Sequence, residues 1–92
     1  MSPLSESEIS ARLKSLPDWK IESGELTRTF VFKDFRGSLA FVNRVGEAAE
    51  KAGHHPDIDI RYNRVRLALV THDAGGITAK DFDLAGAANS MA

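Results

Sequence analysis

The sequence contains no cysteine, which excludes disulfide cross-links and thiolate metal sites. It lacks any apolar run near the ~20 residues that span a bilayer, so no membrane partner is expected. It lacks an excess of either charge: 12 Lys and Arg against 13 Asp and Glu leave a net charge of −1. Direct nucleic-acid binding is therefore not expected, because the electrostatic drive for it is missing. The opening Met1-Ser2-Pro3-Leu4-Ser5-Glu6 has neither the basic nor the apolar region of a secretory signal, and a cytoplasmic location is expected. There is no repeat, low-complexity tract or interdomain linker. What remains is a 92-residue chain, 42% hydrophobic and 27% charged, with the composition of one globular domain spanning residues 1–92. A chain this short buries only about 60% of its unfolded surface, which makes self-association a natural source of added stability.

The pattern reads α-β-β-α-β-β-α. Ser5 and Glu8 form a capping box, Leu4 can staple onto Ile9, and a first helix is expected from Ser5 to Leu16, stopped by Pro17. Residues 19–22 and 25–32 flank Ser23-Gly24 as a hairpin with Ile21 opposite Leu26. That register places Trp19, Ile21, Leu26, Phe30 and Phe32 on one face, with Arg28 as a charged exception. Asp34 caps a second helix that runs to Ala52 and ends at Gly53. On a helical wheel of ~100° per residue, Phe35, Leu39, Val42, Gly46 and Ala49 form one apolar stripe, and Phe41, Val45, Ala48 and Ala52 form another. One stripe is enough to cover a sheet. The second, centred on Phe41, Val45 and Ala48, is expected to face outward and join copies of the chain into a dimer or tetramer.

Ile58, Ile60 and Tyr62 alternate with polar residues, as do Val65, Leu67 and Leu69. A second hairpin turning at Asn63-Arg64 puts all six on one face, with the last strand reaching Thr71. Ile77, Thr78, Asp81 and Phe82 supply the staple and capping box of a third helix. The expected fold is α+β, a single domain whose four-stranded antiparallel sheet carries three helices on one face.

All three histidines fall outside these elements: His54 and His55 after the second helix, His72 beyond the last strand. Histidine suits proton transfer near neutral pH. Pro56 holds His55 extended, and adjacent extended residues point apart. Glu50 precedes His54 by four residues, and Asp81 follows His72 by nine. Asp81 already serves as a capping-box acid, so helix capping and orientation of a histidine are both open to it. Glu50 lies at the edge of the polar face, where solvent exposure and a hydrogen bond to the loop or a ligand are both open. Trp19 and Tyr62 fall on core faces, where packing is expected. His54, His55, His72 and Asp81 include enough donors for a metal, yet neighbouring histidines seldom chelate one ion.

Glu50-x-x-x-His54-His55-Pro56, then Tyr62, His72 and Asp81, resembles the pterin-4a-carbinolamine dehydratases, also called dimerisation cofactors of a homeodomain transcription factor. Phe32-Lys33-Asp34-Phe35 and Tyr62-Asn63-Arg64-Val65 are also similar to that family's sequence. The resemblance runs from about Trp19 to the C-terminus, with Asp57-Ile58-Asp59-Ile60 standing where better-known vertebrate members carry aromatic residues.

The resemblance implies dehydration of 4a-hydroxytetrahydropterin to quinonoid dihydropterin and water, the recycling of tetrahydrobiopterin. It implies a pterin as substrate, no cofactor, no metal, and assembly into dimers or tetramers. The catalytic residues it implies are His54, His55 and His72: His54 and His72 for proton transfer, His55 for binding or orientation. Glu50, Asp81 and Thr71 are the expected substrate-binding residues. A scaffold of the same fold used only to bind proteins, as a transcriptional coactivator or assembly chaperone, is the alternative. The presence of all three histidines favours the enzyme.

Overall fold

A computed structural model describes residues 2–92. Its elements follow the order α1 (Glu6–Leu13), β1 (Lys20–Glu22), β2 (Glu25–Val31), α2 (Phe35–Ala52), β3 (Asp57–Arg61), β4 (Arg64–Leu69), a 3-10 turn at His72–Ala74, and α3 (Ala79–Met91). The strands form one antiparallel sheet in the order β1-β2-β4-β3. The α+β class and the element order are those expected.

One face of the sheet carries the core. Leu26 pairs with Leu69, and Phe30 with Val65. Onto these pack Phe41, Val45 and Ala49 of α2, Phe82, Leu84, Ala85 and Ala88 of α3, and Leu16 and Trp19 from the segment after α1. Ile9 and Leu13 bring α1 against the same cluster. Arg28 also points into this face. Its guanidinium donates to Asn89 Oδ1 at 2.6 Å, lies 4.1 Å from the Phe30 ring centroid, and approaches Asp18. A cation on the core face is tolerated because it is hydrogen-bonded, paired and stacked together.

The capping box at Ser5 and Glu8 forms as expected. However, α1 ends at Leu13 instead of Leu16. The backbone N–H groups of Lys14, Ser15 and Leu16 each bond three residues back, a tightening that ends the helix before Pro17 excludes Leu16 from helical geometry.

Two further expectations are corrected. The outward stripe of α2 is not Phe41, Val45 and Ala48. Phe41 and Val45 are fully buried, with Phe41 tilted against Phe30 at 4.5 Å and Phe32 at 5.0 Å. The residues that face out are Phe35 and Leu39, 45% and 41% exposed. The inward stripe begins at Ser38, a polar residue that buries without penalty because its hydroxyl donates to the Tyr62 carbonyl.

The second hairpin turns at Tyr62-Asn63, one residue earlier than expected, so Arg61 pairs with Arg64 and Ile60 with Val65. Tyr62 leaves the core face, has φ +51° and is 64% exposed. The turn is fixed from outside the hairpin: Asn63 donates its amide to the Phe32 carbonyl and accepts the Phe32 N–H on its own. Those bonds and the Ser38 bond dock the turn onto the entrance of α2 and outweigh the cost of a left-handed tyrosine.

After Leu69 the chain makes an isolated bridge between Thr71 and Gly76 that closes a short loop carrying His72. The N-terminal segment crosses this loop: the Leu4 N–H bonds the Ile77 carbonyl at 2.8 Å, and a Cβ on Gly76 would stand 2.9 Å from the Pro3 ring. Glycine is required there by the close approach. No helix among the described residues is long and apolar enough to cross a membrane.

Candidate active site

Two chain reversals bring the site together. The first is the end of α2, where Gly53 adopts φ +61°, a left-handed conformation that suits glycine. The Gly53 and His54 N–H groups turn back to the carbonyls of Glu50 and Ala49. His54 is thereby locked to the last helical turn, and Pro56 leads into β3 one residue later. The neighbouring rings diverge: His54 turns inward to the start of α3, while His55 turns out to Glu50 on α2. The second reversal is the Thr71–Gly76 loop, whose 3-10 turn presents an exposed His72.

Asp81 ties these pieces together. It is the acid of the α3 capping box, and its side chain is fully buried. Oδ2 accepts the Thr78 N–H at 2.9 Å and the Thr71 hydroxyl at 2.9 Å, while Oδ1 meets His54 Nε2 at 2.5 Å. The Thr71 and Thr78 hydroxyls are 2.8 Å apart. Three donors converging on one buried carboxylate satisfy it as an anion. In the neutral imidazole, donation of the Nε2 hydrogen to Asp81 makes Nδ1 the acceptor. Capping and histidine orientation are one function here, since the same carboxyl performs both.

His54, His55, His72, Thr71, Asp73 and Lys80 line one open recess of about 240 Å³. All three histidines border the same space, from two loops far apart in sequence. Thr71 borders it as well, but its hydroxyl is directed at Asp81. Glu50 lies outside the recess on the exposed side of α2 and holds His55. Asp81 lies behind His54, with no accessible surface for a ligand. Trp19 packs in the core as expected, its indole N–H donating to Asn89 Oδ1 at 2.8 Å. Tyr62 does not.

Lys80 and Asp73 were not singled out by the sequence. Lys80 follows the capping residue by two positions, and a cation in a helix's first turn opposes the macrodipole. That local mismatch is the signal that marks it. Among the described residues, no three His, Cys, Asp or Glu side chains gather as a metal-binding cluster.

Residues 2–91 match the family model described as pterin 4 alpha carbinolamine dehydratase. A relative from Acidobacterium capsulatum, provisionally named pterin-4-alpha-carbinolamine dehydratase, is 59% identical over 99% of each chain. One from Chloroflexus aurantiacus with the same provisional name is 58% identical over 99% of this chain and 98% of its own. A crystal structure described as a transcriptional coactivator/pterin dehydratase from Brucella melitensis superposes with a TM-score of 0.95 at 36% identity, covering 99% of both chains. A pterin dehydratase-like protein described as a RuBisCO assembly factor in the alpha-carboxysome shares the fold, with a TM-score of 0.65 and 19% identity over 79% of this chain and 84% of its own.

Proposed function

The chain belongs to the pterin 4 alpha carbinolamine dehydratase family, and we propose that it dehydrates 4a-hydroxytetrahydropterin by histidine acid-base catalysis. In that reaction the C4a–O bond breaks and the departing oxygen takes a proton to leave as water. The N5–H proton goes to a base, and the N5 electron pair closes the C4a=N5 double bond of the quinonoid dihydropterin. Two proton-transfer groups on different sides of a flat ring are needed. His54 and His72 meet that need, because they reach one recess from separate loops.

The observation that carries this reading is the hydrogen bond of His54 to buried Asp81. With the neutral imidazole donating from Nε2, Nδ1 is the free acceptor on the ring side away from the carboxylate, the form of a base for N5–H. His72, with no hydrogen-bond partner among the described side chains, is the acid for the departing hydroxyl. His55, held by Glu50, orients the substrate from the recess wall. A scaffold that only binds proteins has no need of a buried carboxylate fixing a histidine tautomer. Exposed Phe35 and Leu39 on α2 are the surface we assign to self-association as a dimer or tetramer.

The test is a coupled assay that follows quinonoid dihydropterin formation against the uncatalysed dehydration. Acceleration at micromolar protein is expected. Its absence would reject the enzyme reading and leave the scaffold role.

A further inference from the structure

Thr71 is the last residue before the 3-10 turn that carries His72, and the proton-transfer scheme makes no use of it. All of its polar atoms are nevertheless committed. Its N–H donates to the Gly76 carbonyl at 3.0 Å, and its own carbonyl accepts the N–H groups of Ala74, Gly75 and Gly76 at 3.0, 3.1 and 3.3 Å. The loop that presents His72 is thus folded onto the Thr71 backbone. The hydroxyl turns into the protein, where it donates to Asp81 Oδ2 at 2.9 Å and lies 2.8 Å from the Thr78 hydroxyl. A hydroxyl carries one hydrogen, so with that hydrogen on Asp81 the Thr78 hydroxyl donates to Thr71. Thr78 in turn accepts the Lys80 N–H. Donors therefore run head to tail from the first turn of α3, through two hydroxyls, to the carboxylate whose other oxygen meets His54. In such a series each bond polarises the next.

The Thr71 backbone shapes the loop of one histidine, and its side chain reaches the anchor of the other. The residue is 5% exposed although it borders the recess, and its hydroxyl has no hydrogen left for a ligand. We infer that Thr71 is a positioning residue: its bond to Asp81 sets the spacing of His54 and His72 across the recess, and it is not a ligand of the substrate. The reaction gives this spacing its value. A proton is lost at N5 and another is gained by the oxygen on the adjoining C4a, so a rigid ring must meet both histidines together. A misplacement of about 1 Å in such an arrangement costs on the order of 10²-fold in rate. This inference rests on the dehydratase reading.

The test compares three substitutions. Thr71→Val keeps the branched shape and removes the hydroxyl, Thr71→Ala removes the hydroxyl with no added bulk and serves if Thr71→Val fails to fold, and Thr71→Ser keeps the hydroxyl. With 4a-hydroxytetrahydropterin as substrate, kcat should fall by about 10- to 10²-fold in Thr71→Val and Thr71→Ala while KM stays within about twofold of wild type. Thr71→Ser should restore kcat. Amide hydrogen exchange reads the loop without turnover: the Gly75 and Gly76 amides should exchange roughly tenfold faster in Thr71→Val and Thr71→Ala, and at wild-type rates in Thr71→Ser. A raised KM with kcat unchanged overturns the inference and makes Thr71 a substrate ligand. Unchanged kcat in a folded Thr71→Val or Thr71→Ala, unaltered loop exchange, or failure of Thr71→Ser to restore kcat overturns it as well. No acceleration by wild-type protein rejects the dehydratase reading, and the positioning role with it.

Discussion

Asp81 grips His54 with one carboxylate oxygen and the Thr71–Thr78 pair with the other, so a single buried side chain couples the start of α3 to the histidine we propose for proton transfer. Asp81→Asn separates its two duties. The amide keeps an oxygen for the cap but turns an N–H toward His54, which must then hold its hydrogen on Nδ1 and lose its basic site. We expect kcat to fall by about 10²-fold with little change in KM, and stability to fall by ~1–2 kcal/mol. A pH–rate profile will show whether the limb belonging to the base has moved. Unchanged kcat in a folded variant would count against the His54 assignment.

His54→Ala and His72→Ala should each reduce kcat by about 10²-fold or more, as loss of a general acid or base does. His55→Ala and Glu50→Gln should mainly raise KM, and to similar extents, because Glu50 reaches the recess only by holding His55. Steady-state kinetics on the four variants decides this. Loss of turnover in His55→Ala with a mild effect in His72→Ala would reverse the roles.

Phe41 and Leu39 test which side of α2 faces the core. Phe41→Ala removes a fully buried ring and should cost about 3–5 kcal/mol in chemical denaturation. Leu39→Asp alters an exposed position and should lower the solution mass measured by light scattering while the protein stays folded. A wild-type mass near 10.0 kDa at tens of micromolar would remove the self-association surface.

Tyr62 sits at φ +51° with most of its ring in solvent. Tyr62→Gly should therefore stabilise the chain by about 0.5–1 kcal/mol, since glycine adopts that conformation without steric cost. The bonds of the Ser38 hydroxyl and the Phe32 backbone to the turn do not involve the ring and should persist. A shift of the urea midpoint to lower concentration would show that the ring carries a contact in the folded assembly.

Glu22 contributes a pH dependence. The Thr27 hydroxyl, then the Arg66 guanidinium, hold its carboxyl below the ordinary carboxylate range. A depressed folded value means that the stabilisation is complete above the unfolded value and disappears as pH falls through the folded one. Denaturation midpoints between neutral and strongly acidic pH should fall less steeply in Glu22→Gln than in wild type. An identical slope would mean that these bonds do not persist in solution.

The element order was legible because each boundary carries its own chemistry. Ser5 with Glu8, Asp34 with Gly53, and Thr78 with Asp81 mark helix ends, and Ser23-Gly24 marks a turn in which both residues have positive φ. The histidine loops were legible through their residue types and the family resemblance. What failed required knowledge of distant partners. Ser38 looks polar until Tyr62 offers it a carbonyl, and without that bond the wheel of α2 selects the wrong stripe. Tyr62 looks like a strand residue until Phe32 claims Asn63.

The N-terminal segment at Pro3 and Leu4 lies against Gly76 and Ile77, at the loop that presents His72. Opening that loop breaks the Thr71–Gly76 bonds, one residue from the Leu4–Ile77 bond, and fraying of the first described residues exposes the Gly76 backbone. The two movements are expected to open as one cooperative unit, although they involve opposite parts of the sequence. Amide hydrogens of Leu4 and Gly76 should exchange with a common free energy, lower than that of the β2–β4 pairs. An extension fused before residue 2 would act on the mobility of His72 without touching the recess.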